Sequence, residues 1–149
     1  MTMKQIIPIL AILIFGTAGC QSTQNHGPAP MVQHDLADAR RLALTWLALV
    51  DEEKYSEAYE QYNESAKKRT KSKESSMAFY RAIRQPHGRP LDRRIVREAH
   101  MTQLPLLPPS EYGVFDFATD FASETGVYEQ VLTEYKDGKW EITGYACHN

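Results

Sequence analysis

The stretch Tyr128–Tyr145 reads YEQVLTEYKDGKWEITGY. At its centre, Lys136-Asp137-Gly138-Lys139 is a turn. An Asp-Gly pair between two runs rich in β-branched and aromatic residues favours a tight hairpin, because Asp and Gly tolerate the positive φ such turns require. The flanking runs predict strands at Val127–Tyr135 and from Trp140 to about Cys147. Upstream, Tyr112–Phe121 alternates: Phe115, Phe117 and Phe121 face one way, Asp116 and Asp120 the other. That is the period of a strand with one face in a core. Pro105, Pro108 and Pro109 separate it from a further β-rich run, Leu91–Leu104. Short links between such runs favour an antiparallel meander.

Before Pro90 the period is different. Leu36, Ala39, Ala43, Trp46, Leu47 and Val50 recur at spacings of three and four, one face of a helix. Asp35 can cap its start, and Asp38 suits its first turn. Leu42, Leu44 and Leu49 widen the apolar surface, which predicts cover on more than one side. Tyr55, Ala58, Tyr59 and Tyr62 form a second, shorter stripe, read as core tyrosines with their hydroxyls at the rim, the alternative being the lining of a ligand pocket. A third helix starts after Ser72 and runs through Met77, Phe79, Tyr80 and Ile83 until Pro86-His87-Gly88-Arg89-Pro90 stops it. Between them, Lys67 to Lys73 holds five basic residues in seven, read as a solvated helix end, with a grip on anionic lipid heads or phosphates as the alternative. The predicted architecture is α+β: three N-terminal helices packed on one face of a curved four-stranded antiparallel sheet, over residues 35–149.

The amino end has another purpose. Lys4 precedes an apolar run from Ile6 to Phe15, and small residues follow to Gly19. A charged head, a short apolar middle and a small-residue exit describe a secretory signal over residues 1–19. The run is about half of the roughly 20 residues that a spanning helix needs. Ala18-Gly19-Cys20 resembles the bacterial lipoprotein box, with Thr17 in place of the usual leucine. The resemblance implies cleavage between Gly19 and Cys20 and acylation of the Cys20 sulfur. Two acyl chains at about 0.8 kcal/mol per buried methylene suffice for stable anchoring. Residues 20–34, polar and carrying Gly27, Pro28 and Pro30, then read as a flexible tether with His26 and His34 as solvated spacers. The expected place is a bacterial cell envelope, lipid-anchored and facing the periplasm. By analogy with enteric bacteria, Gln21 favours the outer membrane.

Charge and cysteine content narrow the partners. Without Lys4, 16 of the 17 basic side chains remain against 19 acidic ones, a net charge near −3 that argues against nucleic acid. With Cys20 acylated, Cys147 is the remaining thiol, so no disulfide forms within one mature chain. Glycine-rich phosphate loops, paired-cysteine metal motifs and Gly-x-Ser-x-Gly elbows are absent. His87, His100 and His148 lie in three unrelated segments, and neither a metal nor a cofactor is expected.

Four words of sequence carry a family resemblance: WLALVDEEKYSEAYE from Trp46, IRQPHGRPLDRR from Ile83, LPLLPPSEYGVFDF from Leu104 and the Tyr128 stretch quoted above. In this order, over Leu42–Tyr145, they resemble a bacterial family catalogued as domain of unknown function 4019. Glu53 stands where glycine is common there, and Tyr59 where tryptophan is common. The family is similar to the cone-shaped, cystatin-like fold of nuclear transport factor two and ketosteroid isomerase. The resemblance thus implies the same α+β architecture and no established activity. Cone folds that are enzymes place an acid or base in an apolar cavity, where burial raises a carboxylate's pKa. By strand parity, Arg97 shares a face with Ile95, Ala99 and Met101, and Glu129 with Val127, Val131 and Tyr135. Arg97 and Glu129 are therefore the candidate polar pair of the cavity. Two roles stay open. One is a non-catalytic module that binds an envelope protein, a small apolar ligand or a second copy of itself. The other is a small cone-fold enzyme with Glu129 as base. The lack of a second acid-base partner favours the module.

Overall fold

A computed structural model describes residues 33–148. Residues 1–32, and with them Gly19, Cys20 and His26, lie outside the described residues. The element order is helices, then strands. Helix α1 spans Leu36–Asp51, α2 Tyr55–Glu60, α3 Glu64–Arg69 and α4 Lys73–Arg84. A short 3-10 turn at Gln85–His87 leads into β1 (Pro90–Met101), β2 (Glu111–Phe121), β3 (Val127–Lys136) and β4 (Lys139–His148). The strands form one antiparallel sheet in the order β1-β2-β3-β4, as the meander predicts. The curved sheet and the helices on its inner face make a cone-like α+β domain.

α1 is the central helix. Asp35 caps it by accepting from the Ala37 N–H at 2.9 Å, and Ala39, Ala43, Trp46, Leu47 and Val50 are buried along its inner stripe. Leu42 and Leu49 pack at the margin of the core, but Leu44 faces solvent, so the helix is covered on fewer sides than its leucines predict. Trp46 stands at the hub: its Nε1 donates to the Ala58 carbonyl at 2.8 Å, and Tyr62, Tyr80 and Tyr145 pack around its ring.

The helical half contains one helix more than the apolar stripes predict. Asn63 ends the Tyr55 stripe and caps α3 by accepting from the Ala66 N–H at 2.7 Å. Lys67, Lys68 and Arg69 occupy the last turn of α3, where its negative dipole end suits them. With only six residues and Ala66 buried, α3 is too short to show a period. Ser72 caps α4 in a reciprocal box with Ser75. Glu53 takes φ 57 in the α1–α2 link, the left-handed region that glycine enters at no steric cost.

The Asp137-Gly138 turn has φ 51 and 86, positive at both central residues as the hairpin needs. β1 ends at Met101, three residues short of expectation, and the loop that follows sets Leu104 and Leu107 over the outer face of the sheet while Leu106 is exposed. There Leu104, Pro105 and Leu107 line a cavity with Val114 and Leu132, and Tyr112 donates to the Pro108 carbonyl at 2.6 Å. β2 is therefore buried on both faces.

Gly113 on β2 has no room for a side chain: a Cβ there would lie 2.6 Å from Thr133 Oγ1 and 2.9 Å from the Phe115 ring. Overpacking of this kind costs about 1–3 kcal/mol. Gly113→Ala is expected to lower the thermal midpoint and the urea midpoint, with helix content at low temperature unchanged. An unaltered midpoint would contradict the close packing of β2 on β3.

Candidate functional site

Strand parity places Glu129 on the inner face of β3, and the structure buries it completely, at 0% exposure. It does not meet Arg97. The β1–β2 register shifts between Ile95 and Arg97, leaving Val96 as a bulge. A bulge inserts one residue and reverses the parity of the strand beyond it. Arg93 opposite Thr119 and Ile95 opposite Phe117 remain on the inner face; Arg97, opposite Asp116, is turned outward. Its guanidinium lies 3.5 Å from Asp116 and its side chain is 55% exposed. Asp116 also accepts from Gln130 at 2.8 Å.

The inner partners of Glu129 are Arg93 and Arg84. Arg93 donates to Glu129 from Nε at 3.0 Å and grips Asp51 with two bonds of 2.7 and 2.9 Å. Arg84, at the end of α4, is 4% exposed; it bonds Asp51 and places Nη1 3.2 Å from Glu129. That last contact lacks hydrogen-bond alignment, so Arg84 Nη1 and Nε have no hydrogen-bond partner among the described residues. The face of its guanidinium rests on Phe121, 4.3 Å from the ring centre. Thr119 and Tyr145 complete the shell, each donating to Glu129, Tyr145 at 2.7 Å. Two carboxylates thus meet two guanidiniums, and the cluster is electrically neutral.

The electrostatics follow from this arrangement. Burial works to raise the Glu129 carboxyl, but the charges of Arg93 and Arg84 and the bonds from Thr119 and Tyr145 outweigh it and hold it below the usual range. Burial opposes the charge on Arg93 too, and Asp51 and Glu129 override it upward. Tyr145 is pushed well up, by burial first and by the Glu129 charge second, so its hydroxyl remains a donor. Cys147, across the β3–β4 ladder from Glu129, is raised by burial and by the same charge. A raised thiol is a poor nucleophile.

Arg93, Arg84 and Asp51 escape a motif reading because three separate segments supply them. Arg93 was within reach: two residues before Ile95, it shares that residue's face without crossing the bulge. The three histidines His87, His100 and His148 stay apart from one another. His87 bonds Glu124 at 3.1 Å, His100 bonds Glu111 at 3.0 Å, and His148 packs on Tyr128. Among the described residues no three His, Cys, Asp or Glu side chains are grouped to hold a metal ion. His34, counted with the tether by composition, packs on the domain. Its ring stacks on Tyr135 with centroids 3.6 Å apart, and it donates to Glu111 through its backbone N–H at 2.6 Å.

A second feature lies at the surface. α3, α4 and β4 enclose a cavity of about 270 Å³ floored by Tyr62 and Tyr80. Burial raises the Tyr80 hydroxyl to about 12 and Tyr62 well above its ordinary value. Both remain protonated at neutral pH.

The described domain is therefore a cone-like α+β fold whose interior holds packed aromatic rings and a neutral charge cluster. The chain belongs to a family described as "Protein of unknown function (DUF4019)", whose model matches residues 42–145. No curated protein matches it.

Glu129→Gln leaves Arg93 and Arg84 buried against a neutral amide, a loss of about 3–5 kcal/mol at pH 7. The native carboxyl lies below its unfolded value, so its stabilisation is present above about pH 4.3 and disappears as pH falls through the native value. Urea unfolding at pH 7, 5 and 3 should show the gap between wild type and Glu129→Gln closing toward acid; a constant gap would contradict the assignment. Cys147 in the native protein should react with Ellman's reagent at pH 8 more slowly than in urea by at least tenfold.

Proposed function

We propose that this protein is a lipid-anchored lipoprotein of a bacterial cell envelope, facing the periplasm, whose folded domain acts by binding and not by catalysis. The observation that carries the binding reading is the state of Glu129. A general base in a cone fold needs an apolar cavity, access for substrate and a pKa raised toward neutrality. Glu129 has no exposed surface, accepts from Arg93, Thr119 and Tyr145 and lies beside Arg84, and its pKa is depressed. A proton taken up there would break a neutral cluster. Space for a ligand exists instead at the surface cavity, where protonated tyrosines can pack against a bound molecule but not abstract its proton.

The anchor rests on the sequence around Cys20. The Lys4 head, the Ile6–Phe15 run and Ala18-Gly19-Cys20 support processing to a diacylated cysteine. The polar residues after it support a tether that keeps the domain near the leaflet. Gln21 favours the outer membrane.

Expression of Cys20→Ser in a bacterial host fed a radioactive fatty acid should leave a full-length, unlabelled precursor. Processing and labelling that persist would remove the anchor. The binding reading has its own test. Native mass spectrometry of the protein released from its host's membranes should reveal a non-covalent adduct that denaturation removes. A bare chain in every preparation would overturn it.

A further inference from the structure

The surface cavity has a definite chemistry. Tyr62 and Tyr80 form its floor, their rings nearly parallel at 26° with centres 6.1 Å apart. Phe79 forms a wall and is 49% exposed, a large apolar ring left facing open space on α4. Arg69 and Lys71 stand at the rim, and the lining includes no carboxylate.

The positive charge at that rim is not neutralised. On either side of it, Lys67 and Lys73 both pair with Glu60. Arg69 and Lys71 have no acidic partner among the described residues. Arg69 is nevertheless held in place: its Nη2 donates to the Thr143 carbonyl at 2.7 Å and to Thr143 Oγ1 at 3.0 Å. Both bonds come from Nη2, so the guanidinium is held while its Nε–H and Nη1–H groups donate to nothing among the described residues. A fixed guanidinium binds an oxyanion with little further ordering cost. The larger groove beside α1 and α2 differs in kind. Asp38, Glu60, Glu64 and Glu141 line it together with Arg41, Lys67 and Lys139, so acids offset its cations.

We infer that the cavity between α3 and α4 binds a small anionic amphiphile, an oxyanion head carried on an apolar body. The head sits between Arg69 and Lys71, and the body lies on Tyr62 and Tyr80 against Phe79. The volume sets the size, since drug-sized ligands occupy roughly 300–1,000 Å³ and this cavity is slightly smaller. A bare anion would leave the aromatic floor uncovered, and a neutral apolar molecule would leave the rim charges unanswered. This assignment rests on the binding reading above and names its site and ligand class. A free metabolite and a lipid of the leaflet both offer such a head, and displacement separates the two sources.

The test uses the full lipoprotein reconstituted in phosphatidylcholine nanodiscs, titrated with 1-naphthyl phosphate by calorimetry. Saturable one-to-one binding is expected, at least tenfold tighter than 1-naphthol or inorganic phosphate, and weakened by added salt. Arg69→Gln/Lys71→Gln should weaken it at least tenfold. Lys71→Gln alone, at an exposed and unpaired position, should weaken it by a smaller factor and covers the case in which loss of the Arg69–Thr143 bonds disturbs folding. Displacement of the probe by phosphatidylglycerol in the disc would assign the head to a lipid; no displacement would assign it to a free molecule. Equal affinity for 1-naphthol, absence of saturation, or full affinity in the double variant would overturn the site. A native adduct that survives in the double variant would remove this site while leaving the binding reading standing.

Discussion

The bond between Glu129 and the guanidinium of Arg93 is the contact on which the rest of this structure depends. Through it and the neighbours it recruits, β3 is tied to β1, Asp51 brings in the end of α1, and Arg84 brings in the end of α4. Thr119 on β2 and Tyr145 on β4 close the ring of donors. All four strands and two helices meet at one buried carboxylate. Burying charge is costly, and such a cluster stabilises a fold little beyond an apolar equivalent. Its geometric demand is another matter. This placement of α4 over the sheet brings Arg84 to both acids, and a slipped register would strand a charge in the core.

The same cluster decides what the interior can do. A cone encloses space, and a protein with this fold can leave that space open or fill it. Here Trp46, Tyr55, Tyr62, Tyr80 and Tyr145 fill one part with rings, and the charge cluster fills another. Acidity follows from that filling. Tyrosines become weaker acids, the thiol of Cys147 is held protonated, and Glu129 is held ionised and fully engaged. Groups in these states hold structure and exchange protons poorly. Open space lies at the surface, where α3 and α4 part beside Tyr62 and Tyr80 and where Arg69 and Lys71 have no acidic partner among the described residues.

Much of the fold was legible because its signals are local and periodic. The α1 stripe appears as read, the phenylalanines of β2 share the inner face, and Asp137-Gly138 makes the turn its sequence requires. The features that were not legible have a common cause: contacts between distant segments decide them. α3 is too short for a period, and its one sequence cue was Asn63 before an acidic residue. Val96 is bulged because β1 must follow the register of β2, and nothing in Ile95-Val96-Arg97 marks the extra residue. Of the candidate pair, Glu129 lies inside and Arg97 faces outward, and Arg93 is the β1 arginine that meets Glu129. His34 reads as linker by composition, yet Tyr135 on β3 and Glu111 on β2, both far along the chain, claim it.

Taken alone, the sequence determined the α+β class, the succession of helices and strands, the hairpin turn and the inward direction of Glu129. Each of these depends on side-chain period and on backbone preferences that act over a few residues. Only the tertiary structure decided which arginines neutralise that carboxylate, which cations among the described residues lack an acidic partner, and where the cavity beside Tyr62 and Tyr80 opens. Those outcomes depend on distances between segments far apart in the chain, and pairing register and helix placement set such distances.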